Sequence, residues 1–241
     1  MSKRKKPKSV RQRCVYCASD VPKTAITQDH VIARAWYPDG TLPNLPKWKV
    51  PACRACNNDY SKLEQDSLIL LAHCLDPKRP ASAGVYERVR RSIDPATATT
   101  EKERRFREKA RQRFLRSVRE LDKVPPDGAL PSFIGNFHKG SRLGILIGEK
   151  ELKRLVGKWT KGLHYESFGT IIQPPNKIDL MVAVADDTAL QAIMSSGTLL
   201  LHPPGMAVCR LSATEGNERH TVYKFVIWEQ FVVHSAVEEF L

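Results

Sequence analysis

Val50-Pro51-Ala52-Cys53-Arg54-Ala55-Cys56-Asn57-Asn58-Asp59-Tyr60 is the stretch in which a strand-like pattern gives way to a helical one. A Cys-x-x-Cys pair, Cys53 and Cys56, sits at the change, and the same spacing occurs upstream in Cys14-Val15-Tyr16-Cys17. Asp29-His30 lies between the two pairs. A tetrahedral zinc site takes four soft ligands, and two such pairs on rigid turns supply them. In a reducing compartment this spacing points to metal rather than to disulfides. The zinc expected here is structural, because four thiolates leave no open position for chemistry. Cys74 and Cys209 lack the spacing and are expected in the core.

Upstream of the second pair, Lys47-Trp48-Lys49-Val50 alternates polar with apolar and predicts a short strand, small hairpins are expected over this region, and Ile26 to Ile32 falls where a hairpin strand would face the following helix. Downstream, Leu63, Leu68, Leu70, Leu71 and Cys74 supply the apolar positions of a helix that Asp76-Pro77 stops. Asn57, Ser61 and Glu64 fall on one face of it, at i, i+4 and i+7. Ser82 to Ser92 predicts a second, short helix. Glu101 to Lys123 predicts a long one, with Phe106, Ala110, Phe114, Val118 and Leu121 along one face and arginines, Arg104, Arg107 and Arg111 among them, over the others.

The net charge is +13, and its distribution is uneven: residues 1 to 127 hold 28 basic and 15 acidic side chains, the remainder 11 of each. A half-chain so cationic is expected to bind polyanions, since each phosphate it neutralises releases condensed counterions. Residues 1 to 12 read as a flexible basic arm. No segment reads as a secretory signal or a membrane span, so the chain is expected in the cytoplasm, away from membranes.

These residues resemble the HNH endonuclease family, whose fold is the ββα-metal motif, treble-clef-like and in many members held by a structural zinc. Cys14-Val15-Tyr16-Cys17, Asp29-His30-Val31-Ile32 and Cys53-Arg54-Ala55-Cys56-Asn57 carry the match, over about residues 13 to 66. The resemblance implies a general base at His30, which takes a proton from the water that attacks phosphorus. It implies a single catalytic Mg²⁺ or Mn²⁺ held by Asp29 and Asn57, with Ser61 at the position one turn on. Asn44 matches the central Asn that braces the loop and orients His30. Ser61 departs from the His or Lys common in the family, and Glu64 reads either as a compensating ligand or as a solvated helix residue. Members leave a 5′ phosphate and a 3′ hydroxyl, and many bacterial ones act in restriction or phage defence.

The expected organisation is α+β: an arm over 1–12, the zinc-stapled nuclease module over 13–76, a basic helical extension over 77–127, and an α+β domain over 128–241. In the last, Leu152, Leu155, Val156 and Trp159 predict a helix, and Asp186 or Asp187 is expected to cap another through Met194. Strands are expected at Gly169–Ile172, Asp179–Ala185, Thr198–Leu201, Ala207–Leu211 and Thr221–Val233. The function expected is metal-dependent hydrolysis of DNA, double-stranded foremost, with Arg34, Arg54, Arg104, Arg107 and Arg111 on the backbone. The neutral half is left as a docking face for a protein partner. The alternative is a non-catalytic zinc module that binds nucleic acid.

Overall fold

The computed structural model describes residues 10–45, 47–76, 78–120, 143–181, 195–202 and 204–241. Two short antiparallel pairs come first, β1 (Arg11–Arg13) with β2 (Asp20–Pro22) and β3 (Ile26–His30) with β4 (Lys49–Cys53). Between β1 and β2 the chain reverses around the first cysteine pair: Cys14 N–H donates to Ser19 O at 3.0 Å and Ala18 N–H to Cys14 O at 2.9 Å. Ala18 reaches that turn at φ 57°, in the left-handed region. The ladder of the second hairpin places Asp29 opposite Val50 and His30 opposite Lys49. The strand expected from Lys47 therefore starts at Lys49 and runs on to Cys53.

Helix α1 (Arg54–Ala72) follows without a linker. Cys53 is its N-cap, with Sγ accepting the Cys56 N–H at 3.5 Å, so Cys56 and Asn57 lie in the first turns. Helix α2 (Val85–Ser92) begins three residues later than expected, because Pro80–Ser82 forms a 3-10 turn and Gly84, at φ 73°, caps the helix. A Cβ on Gly84 would strike the Asp39 carboxylate, and that carboxylate is also the partner of Arg88.

Helix α3 (Glu101–Ser117) opens on a capping box, in which Thr100 Oγ1 accepts the Glu103 N–H and the Glu103 carboxylate takes the Thr99 N–H. It was expected to reach Lys123 but stops at Ser117, because Val118–Glu120 turns extended as β5 and pairs with β6 (Leu143–Ile145). Residues 121–123 lie outside the described residues. Its apolar face is also narrower than the periodicity implies: Ala110 and Phe114 are buried, whereas Phe106 is 50% exposed.

Helix α4 (Glu149–Phe168) ends at Gly169, which adopts φ 71°. That left-handed cap sends the chain away, and Thr170–Ile172, expected as strand, forms none. Five antiparallel strands then make the main sheet, β7 (Lys177–Met181), β8 (Thr198–His202), β9 (Met206–Glu215), β10 (Glu218–Ile227) and β11 (Phe231–Phe240), in the order β7-β11-β10-β9-β8. The single strand expected over Thr221–Val233 is thus two, joined by a turn in which Trp228 and Glu229 both take positive φ. The helix expected up to Met194 and residues 182–185 lie outside the described residues.

The architecture is α+β. One hydrophobic core collects residues from both sides of position 128. At its centre Trp36 stacks on Trp228 at 5.3 Å and meets Trp159 edge-on at 5.1 Å, and Trp228 Nε1 donates to Trp36 O at 2.8 Å. Helix α4 lies directly on the Asp29-His30-Val31 segment: a Cβ on Gly162 would sit 2.6 Å from Val31 Cγ2. Among the described residues no helix is long and apolar enough to cross a membrane. The expected boundary between residues 127 and 128 and the arm up to residue 9 are outside the described residues.

Candidate metal centre and Asp-His site

The four cysteines of the two knuckles converge. Their Sγ atoms all lie within 4.8 Å of one another, and Cys17 and Cys53 are 3.9 Å apart. A tetrahedron with metal–sulfur bonds of about 2.3 Å has edges of about 3.8 Å, so the cluster could hold a metal ion such as zinc. Soft sulfur ligands select zinc over hard oxygen-seeking cations. Cys74 and Cys209 stand apart from it, half-buried.

Strand β3 presents Asp29 and His30 at its end. Asp29 Oδ2 accepts the Tyr16 hydroxyl at 2.6 Å and lies 3.0 Å from Lys158 Nζ. Its other oxygen, Oδ1, accepts no hydrogen bond among the described residues, while the side chain keeps 11% of its surface open. Burial, with the Asp29 charge beside it, holds the Tyr16 phenol far above its ordinary range, so it stays a donor. The His30 ring is half-buried and forms no hydrogen bond among the described residues. Burial, then the Lys49 cation across the ladder, lower its pKa from the usual value, which favours the neutral imidazole. A neutral ring can accept a proton.

Asn57 extends from α1 toward the same strand. Its Nδ2 donates to Thr27 Oγ1 at 2.8 Å, and that hydroxyl donates to Ala52 O at 3.1 Å, which fixes the amide with its oxygen unspent. Thr27 and Asp29, two residues apart on β3, lie on one face. Asn57 and Asp29 are therefore brought to one side of the hairpin.

The other expected site residues lie elsewhere. Ser61 is exposed and lines a cavity of about 360 Å³ with Ala33, Trp36 and Arg88; it does not enter the Asp29 network. Asn44 sits in an exposed turn and makes no hydrogen bond to His30. Glu64, by contrast, is buried at 3% and engaged: Oε1 accepts the Ala33 N–H at 3.1 Å and Oε2 lies 2.7 Å from Lys158 Nζ. Burial pushes its carboxyl up to about 7 against the pull of that ammonium.

Lys158 has no counterpart in the sequence reading. It is fully buried on α4, and its three protons have three acceptors: Asp29 Oδ2, Glu64 Oε2 and the backbone O of His30 at 2.8 Å. One turn to either side, Arg154 pairs with Asp59 at 2.5 Å and Lys161 donates to Tyr16 O at 2.9 Å. The signal was present in the sequence: Lys158 falls on the apolar face shared by Leu155 and Trp159, where an unpaired lysine is too expensive to bury.

The five arginines expected at a phosphate backbone divide. Arg34, Arg54 and Arg111 are exposed and make no ion pair among the described residues. Arg104 pairs with Glu101 at 2.7 Å. Arg107 is built into the fold, paired with Glu103 and donating to Arg91 O and the Thr97 hydroxyl, which ties α3 to the turn before it.

No protein-family model, no curated protein and no solved structure matches the chain.

Proposed function

We propose that the chain is a zinc-stapled, HNH-type endonuclease that hydrolyses phosphodiester bonds in DNA. The observation that carries the reading is a hairpin and helix stapled by four cysteines, with Asp29 and His30 at the end of β3 and Asn57 tied to Thr27 of the same strand: Asp29 has one oxygen held and the other unspent, Asn57 has its amide fixed, and the His30 ring makes no hydrogen bond among the described residues. Hard oxygen ligands such as Asp29 Oδ1 and the Asn57 amide oxygen fit Mg²⁺ or Mn²⁺. Such an ion, when bound, supplies positive charge to the scissile phosphate and the departing oxygen.

The protein's own groups do the rest. His30 takes a proton from water, whose oxygen attacks phosphorus; the bond to O3′ breaks and that oxygen leaves as a hydroxyl with a proton from solvent. Tyr16 and Lys158 hold Asp29 oriented. Arg34, beside the Asp-His pair, and Arg54, at the start of α1, are free to take phosphate oxygens, and the exposed Arg111 on α3 extends that cationic surface.

A second reading is a zinc-dependent nucleic-acid-binding module without catalysis. It is favoured by the burial of Asp29, 8% exposed, with Oδ2 already given to two donors. One panel separates the two: supercoiled plasmid, single-stranded DNA and RNA incubated with the full chain in Mg²⁺, Mn²⁺ or EDTA. The nuclease reading expects metal-dependent nicking of the plasmid, with products that carry 5′ phosphates. Salt-sensitive binding with no nicking in either metal would leave the second reading standing.

A further inference from the structure

We infer that Lys158, more than a hundred residues from the Asp-His pair in sequence, is the positioning residue of the proposed cleavage site, and that α4 is therefore part of the nuclease rather than an appendage to it. The inference rests on the nuclease reading and deepens it.

Three observations converge on this lysine. Its ammonium is fully buried and meets three oxygens at hydrogen-bond distance, one on each of three groups: the Asp29 carboxylate, the Glu64 carboxylate and the His30 carbonyl. A purely structural ion pair needs only one carboxylate, whereas this arrangement grips both residues of the Asp-His pair at once. The contact to Asp29 falls on Oδ2, the oxygen that also accepts from Tyr16, so the carboxylate cannot rotate about its terminal bond without losing two charge-assisted hydrogen bonds together. Oδ1 is thereby kept in one direction. Finally, the backbone that carries Lys158 is fixed: Arg154 and Lys161 anchor α4 to Asp59 and Tyr16, and Gly162 lets the helix touch Val31.

The geometry fits a cation partner. Two carboxylates share one buried lysine, and the unspent oxygen is on the side chain that keeps some surface open. Lys158 orients a ligand without itself touching metal or substrate, which is the part an outer-sphere hydrogen bond plays for a metal-bound carboxylate. Glu64 holds the lysine from the other side and is thereby assigned a place in the same device, as a brace rather than as a metal ligand.

The test uses the full chain with its zinc and measures Mn²⁺ affinity by electron paramagnetic resonance alongside single-site plasmid cleavage. Lys158→Met is expected to keep its zinc and its affinity for plasmid, to bind Mn²⁺ about 10- to 100-fold more weakly, and to lose a comparable factor in kcat with KM little changed. Lys158→Arg keeps the buried charge, but a planar fork cannot set one nitrogen against all three oxygens. It is expected to fold, and to fall between the native chain and the methionine variant in Mn²⁺ affinity. Should Lys158→Met fail to retain zinc, the arginine variant decides. Native-like Mn²⁺ affinity and kcat in whichever variant folds overturns the inference while leaving the nuclease intact. A native chain that neither binds Mn²⁺ nor nicks plasmid overturns the nuclease reading and this inference with it.

Discussion

Ala18 closes the first cysteine knuckle at φ 57°, where a Cβ costs about 1–2 kcal/mol. Ala18→Gly relieves that strain but gives the unfolded chain more freedom, so we expect a net gain of about 0.5 kcal/mol, read as a higher urea midpoint in the metal-bound protein. A lower midpoint would mean that the methyl, not the turn, is what the knuckle needs. The four-thiol cluster was legible from spacing alone, because metal ligation restricts residue type, whereas the roles of Asp29, His30 and Asn57 came from the resemblance. The Tyr16 hydroxyl on Asp29 was legible from neither, since a tyrosine inside a cysteine knuckle reads equally well as packing. Where Ser61 and Asn44 fall was not legible for a related reason: helical spacing and loop position put them near the site in sequence, and only the fold shows Ser61 opening on a cavity that Glu64 also lines and Asn44 in an exposed turn.

Helix α4 is the element on which both halves of the chain meet. Gly162 is buried, and a Cβ there would come within 2.6 Å of the Val31 side chain, directly after the Asp-His pair. Gly162→Ala gains helix propensity of about 1 kcal/mol but forces the helix off that contact, and overpacking of this kind costs about 1–3 kcal/mol. We therefore expect a net loss of stability of about 1 kcal/mol by urea unfolding, together with slower cleavage, because Lys158 moves with the helix. Unchanged stability and rate would show that α4 can shift without disturbing the pair. The existence of α4 followed from its apolar period, whereas the end of α3 and the turn between β10 and β11 did not. Val118 continues the helical pattern until pairing with β6 overrides it, and Trp228-Glu229 carries none of the Gly or Asn that normally marks a tight turn. The stack of Trp228 on Trp36 and its hydrogen bond to Trp36 O hold the first turn residue in that conformation.

At the scale of the molecule, the sequence divides by charge at about residue 128, while the core does not divide at all. Net charge reports on surface and partners and says nothing about packing, which is why it located the cationic half but not the dependence of the Asp-His strand on α4. The neutral half contributes the lysine beneath the pair, the tryptophan against Trp36 and the sheet behind them. Arg34, Arg54 and Arg111, exposed and without an ion pair among the described residues, lie in the same cationic half as the Asp29 carboxylate with its open oxygen, and the proposed reading gives them the phosphate backbone. The most direct measurement is the single-turnover rate of plasmid nicking in Mn²⁺ by the native chain and by His30→Ala, with zinc content and DNA affinity matched. Loss of a general base removes about 10²- to 10⁴-fold, and we predict a loss in that range with binding unchanged; equal rates in the two proteins would contradict the account.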